Sequence, residues 1–115
     1  MSETTDPKDI IIHVGDTPVL EFECVDKETG AADDISTAET KDVYLKPPDD
    51  GTVVKLADVD FLTTGKDGVL KYKCLTTILS THGFWETEAH VVLANGDVIT
   101  YSGGGFPVEA TQRGT

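Results

Sequence analysis

The side chains of this 115-residue chain that could do chemistry are three histidines, two cysteines and a crowd of carboxylates. A zinc site needs imidazoles or thiolates at short, fixed spacing, yet His13, His82 and His90 stand far apart, with no His-x-x-x-His pair and no Cys/His cluster. Solvent-facing or locally bonded histidines are the expectation. Asp33-Asp34, Asp49-Asp50 and Asp58-Val59-Asp60 could offer oxygens to calcium, but they lack the loop of alternating ligands closed by a distal glutamate. Ser80-Thr81-His82 sets a hydroxyl near an imidazole without a Gly-x-Ser-x-Gly turn or an orienting acid. No spacing singles out a glycosidase-type pair of carboxylates, and a chain of this size has little room for a cleft. Gly103-Gly104-Gly105 is followed by neither lysine, serine nor helix, so it is not a phosphate loop. The expectation is a protein without catalytic residues, metal or cofactor.

Cys24 and Cys74 are too few for a disulfide scaffold and have no Cys-x-x-Cys spacing. Both fall on the inward side of predicted strands, where they are buried free thiols or a bridge between neighbouring strands. The formal charge of −12 repels phosphate backbones and anionic lipid, which argues against nucleic-acid or membrane binding. Residues 1–60 carry sixteen acidic and five basic side chains, leaving the remainder nearly neutral. Solubility accounts for such a bias, and so does an acidic face that meets a basic partner. No apolar run approaches the ~18 residues of a membrane span, and the acidic start Met1 to Asp6 is the reverse of a signal peptide.

The elements that must position these groups are short strands. Residues 1–8 read as a flexible tail, Asp9 to Val14 as a first strand, and Val19 to Val25 as a second with Leu20, Phe22 and Cys24 inward. A glycine turn at Gly30 leads into a crossing loop with one short helical turn near Ser36 to Glu39. Thr40 to Lys46 is a strand with Tyr44 outward, stopped by Pro47-Pro48, and Thr52 to Leu56 returns. A short strand carrying Phe61 is followed by Val69 to Cys74, with Leu70 and Tyr72 inward. Lys71 and Lys73 there match the spacing of Glu21 and Glu23, which predicts that the two strands are neighbours. Leu75 to His82 is a connection with some helical character.

The longest period-two stretch is Trp85, Thr87, Ala89, Val91 and Leu93, one face of a strand that ends at Asn95-Gly96. A two-residue type I′ turn there sets Leu93 opposite Val98 and Val91 opposite Thr100. The triple glycine is read as a free bend, Phe106 to Ala110 as a short edge strand, and residues 111–115 as a loose tail. Core anchors are Trp85, Phe22, Leu20, Leu70, Tyr72, Val91 and Leu93. About eight short strands between turns indicate an all-β sandwich, with a small barrel as the alternative.

Gly15-Asp16-Thr17, the strand ending in Asp26 to Gly30, Lys46-Pro47-Pro48-Asp49-Asp50-Gly51, Gly68-Val69-Leu70-Lys71-Tyr72, Gly83-Phe84-Trp85-Glu86-Thr87-Glu88 and Asn95-Gly96 together resemble the small immunoglobulin-like domain of tailed-phage virion proteins. The type is that of baseplate upper proteins and related tail or fibre components. The resemblance covers residues 9–110 and implies an all-β, immunoglobulin-like β-sandwich of about seven or eight antiparallel strands there, with Trp85 as a core residue and no catalytic residue. It implies a structural role in a virion made in the host cytoplasm, with other virion proteins as partners and a homo-oligomer within a symmetric assembly. A tail, baseplate or fibre-attachment position is expected first and a capsid decoration protein second. Tyr44, Phe84, Val92, Ile99 and Phe106 are expected outward or at edges, as candidate protein contacts or scattered surface hydrophobes. A host-surface or carbohydrate-binding module, using an exposed Trp85 or Tyr101, is a different class, and a metal-dependent enzyme a third.

Overall fold

The computed structural model describes residues 12–49, 51–75 and 77–110. The expected tails, 1–8 and 111–115, and the start of the first strand lie outside the described residues. Among the described residues there are eight strands: β1 (Ile12–His13), β2 (Val19–Glu23), β3 (Ala38–Lys46), β4 (Val54–Leu56), β5 (Asp60–Phe61), β6 (Val69–Lys73), β7 (Gly83–Leu93) and β8 (Val98–Glu109). One sheet has the order β1-β8-β7-β3-β4 and the other β2-β6-β5. Strand β1 runs parallel to β8, and every other pairing is antiparallel.

Among the described residues there is no helix. Ser36 and Thr37 make a turn and the chain enters β3 at once, because only Ile35 in that loop has an apolar side chain large enough to bury. Between β6 and β7 a single turn closes when the Ile78 amide donates to the Leu75 carbonyl at 3.1 Å.

The two sheets share one core. Leu20 and Phe22 of β2 and Leu70 of β6 meet Val43 and Leu45 of β3 and Trp85, Ala89 and Val91 of β7. Ile35 from the crossing loop and Leu79 from the β6–β7 connection are fully buried with them. Each such aliphatic side chain contributes about 1.5–3 kcal/mol by leaving water. Trp85 is 1 % exposed, and its indole Nε1 donates to the Thr81 carbonyl at 2.9 Å, so its polar atom is satisfied inside the core. Tyr72 and Leu93 are half-buried at the margin, packed against the cluster.

Strands β2 and β6 are neighbours, with Glu21 opposite Lys71 and Val19 opposite Lys73. Asp60 of β5 stands on the other side of Lys71, so the lysine lies between two carboxylates on the solvent face. Such cross-strand charge pairs contribute only ~0.2–1 kcal/mol each, but they favour this register over a slipped one.

The β7–β8 hairpin departs from the two-residue turn that Asn95-Gly96 predicts. Only Gly96 has positive φ, at 94°. The Gly96 amide donates to the Leu93 carbonyl at 2.9 Å and the Leu93 amide to the Asp97 carbonyl at 2.9 Å. This is a three-residue loop with a left-handed glycine at its third position. Asn95 stays out of that region, and its side-chain oxygen accepts the Asp97 amide at 2.9 Å. The register therefore moves by one residue: Val91 faces Ile99, and Thr100 faces His90. Ile99 consequently belongs to the inner face beside buried Val91, a correction to its expected outward position.

The triple glycine does not end the strand. Between Glu88↔Ser102 and Thr87↔Gly104 the register shifts, leaving Gly103 as the extra residue of a β-bulge, and β8 runs on to Glu109. The bulge sets Phe106 opposite Trp85 and Val108 opposite Gly83. Phe106 thus packs against the core from within, a second correction to the expected contact residues.

Candidate functional site

The residues whose chemistry was considered first are dispersed. His13 ends β1, where Asp16 Oδ2 lies 3.8 Å from its Nδ1 and accepts its backbone amide at 2.8 Å. His82 is exposed in the β6–β7 connection, and His90 sits on β7 opposite Asp42 and Thr100. Among the described residues no group of three or more histidine, cysteine, aspartate or glutamate side chains could hold a metal ion.

The aspartate pairs serve local turns instead. Asp34 accepts both the amide and the hydroxyl of Ser36, which holds its carboxyl below the usual range. Asp49 accepts the Gly51 amide at 3.0 Å, while Asp50 lies outside the described residues. Asp58 takes an uncommon positive φ of 52°, its amide donating to Asp42 at 2.9 Å and its carboxylate accepting Lys41 Nζ at 3.1 Å. Thr81 offers its carbonyl to Trp85, leaving the Ser80-Thr81-His82 run in a structural role at that residue.

Cys24 and Cys74 are free and buried. Burial pushes the Cys24 thiol up to about 12, with the Asp33 charge adding to the effect, and pushes Cys74 up to about 11. Neither is a thiolate near neutral pH, so neither is poised as a nucleophile. Tyr101 is held well above the ordinary tyrosine value, first by burial and then by its hydrogen bond to Asp33 Oδ2 at 2.7 Å. That bond ties β8 to the β2–β3 crossing loop and joins residues far apart in sequence.

What the fold does assemble is a surface. Tyr44, Phe84 and Val92 all lie on the outer face of the five-stranded sheet. The ladder aligns Tyr44 with Glu88 and Ser102, Lys46 with Glu86 and Gly105, and Val92 with Val98. Phe84 is 56 % exposed and Val98 62 %. The ring of Phe84 lies across Gly105, where a Cβ would come within 2.5 Å of the ring and of the Trp85 carbonyl. Glycine at 105 is therefore what allows the aromatic to rest on bare backbone, as an aromatic neighbour does for glycine in a sheet.

A groove of about 340 Å³ crosses this face, with Tyr44, Lys46 and Val53 on one side and Glu86, Glu88 and Ser102 on the other. Tyr44 is half-buried and Val53 is 48 % exposed. The carboxylates of Glu86 and Glu88 have no hydrogen-bond or ion-pair partner among the described residues. Alternation along β7 places both glutamates outward, but their neighbours Lys46, Tyr44 and Ser102 come from strands distant in sequence, so the groove has no linear signature. Neither a model of a known protein family nor a curated protein sequence matches the chain.

Proposed function

We propose that this chain is an immunoglobulin-like, non-enzymatic structural component of a bacteriophage virion. Its place is in the tail, baseplate or fibre-attachment region, and it works by protein–protein assembly with other virion proteins and with copies of itself. The observation that carries this reading is the strand order. Sheets β2-β6-β5 and β8-β7-β3-β4 correspond to the B-E-D and G-F-C-C′ arrangement of an immunoglobulin-like sandwich, with β1 added in parallel to the last strand. The sequence stretches that resemble tailed-phage domains fall on turns of this arrangement, on most of β6 and on the first half of β7.

Two surface features support an assembly role. Strand β8 is twelve residues long, and β1 covers only Val108 and Glu109, so among the described residues most of its outer edge has no strand beside it. Such an edge can accept a strand from a neighbour. The outer face of the same sheet presents Phe84, Val92 and Val98 beside polar groups, a composition suited to contacts repeated through symmetry. With Trp85 buried, a sugar-stacking role for that side chain has no support.

Mass spectrometry of density-purified phage particles tests the proposal. The chain is expected in intact particles at a fixed copy number relative to the other tail proteins. Its presence in the lysate and absence from washed particles would refute the assignment.

A further inference from the structure

We infer that the groove on the outer face of the five-stranded sheet is a docking site for one arginine side chain, presented by an extended segment of a neighbouring protein. This deepens the assembly reading above and rests on it. The net charge of −12 makes a basic partner the complementary one, and Glu86 and Glu88 supply the charge at the groove itself.

Geometry distinguishes the cation. Two residues apart on β7 and on the same face, the glutamates are carried roughly 7 Å apart along the strand. A guanidinium presents its N–H donors along the edges of one plane, so it bonds both carboxylates, at about 2.8 Å each, while that plane lies against a ring. An ammonium nitrogen has no such plane to lay on a ring, and calcium takes about six to eight oxygen ligands where the groove offers two carboxylates beside the Lys46 ammonium. The Tyr44 ring, aligned with Glu88 across the ladder, offers an aromatic face to the guanidinium, and Val53 an apolar surface to its methylene stem. Lys46, opposite Glu86, disfavours a second cation next to the first, so the groove selects one arginine rather than a polybasic run. On the β8 side Gly104 and Gly105 put no side chain in the way of an approaching backbone.

Amide-resolved NMR titration of the full chain with acetyl-Gly-Arg-Gly-amide tests this. The controls are the peptide with citrulline, which has the shape of arginine without its charge, and the peptide with lysine. Saturable shifts centred on Tyr44, Glu86, Glu88 and Ser102 are expected for arginine, weaker ones for lysine and none for citrulline. The E86Q/E88Q variant, whose exposed substitutions leave the melting temperature unchanged, should bind about tenfold more weakly or worse. Equal response to citrulline, response centred on the acidic loop around Asp33 instead, or indifference to E86Q/E88Q would each overturn the inference. The particle assay above is independent: a chain present in particles but without arginine binding would retain the assembly reading and lose only this site.

Discussion

Deleting Gly103 should leave the faces of β8 as they are. Ser102 pairs with Glu88 and Gly104 with Thr87, so the extra residue falls between two consecutive positions of β7, and its removal joins the ladder in continuous register. Tyr101, Gly104, Phe106 and Val108 then alternate without a break and stay on the inner face. Val108, 3 % exposed, and half-buried Phe106 keep their burial, and the cost is about 1 kcal/mol or less. If residue 103 held a regular place in the ladder, the deletion would instead turn Val108 and part of Phe106 out of the core and the Glu109 carboxylate inward, a loss of ~3–5 kcal/mol. A domain with ~5–15 kcal/mol of stability separates the two outcomes.

Urea unfolding followed by fluorescence of Trp85, the only tryptophan, reads the change, since Phe106 stands opposite it. Gly103→Ala keeps the residue count, and with it the alternation, and should cost no more than about 1 kcal/mol. Hydrogen exchange should show the hairpin end, Ala89 to Leu93, still protected in the deletion variant. A loss of ~3–5 kcal/mol on deletion, or disappearance of the Trp85–Phe106 pairing, would refute the argument that the bulge sets the faces of β8.

Trp85→Ala should cost ~3–5 kcal/mol by circular dichroism-monitored unfolding, and Trp85→Phe about 1–3 kcal/mol, because the Thr81 carbonyl loses its donor. Tyr101→Phe removes the 2.7 Å bond to Asp33 from a half-buried site and should cost about 1 kcal/mol in urea titration; no change would mean the crossing loop is held without it. Stability should fall in alkali. The thiols of the unfolded chain ionise from their ordinary value of 9.0, whereas the folded chain holds the protons of Cys74 to about 11 and Cys24 to about 12. Their contribution is therefore complete below pH 9 and lost as pH rises through that window, and Tyr101 acts in the same sense from 10.0 upward. Melting temperatures from pH 8 to 11 should decline, and C24A/C74A should flatten the decline.

The alternation of β2, β6 and β7 was legible in the chain because period-two burial is a local property: Leu20, Phe22, Leu70, Trp85 and Val91 follow from their own neighbours. Matching charge spacing even selected β2 and β6 as a pair. What local pattern could not carry was the count of residues between aligned positions. A three-residue loop in place of two reversed the faces of Ile99 and Thr100, and one extra glycine at 103 reversed them again, so that Phe106 and Val108 faced inward. Both events are invisible to periodicity, since each preserves the alternation on either side of itself and changes only its phase. The groove has the same character. Glu86 and Glu88 are outward by their spacing, but Tyr44, Lys46 and Ser102 join them only because β7 lies between β3 and β8, an order settled by how two sheets close over a shared apolar core.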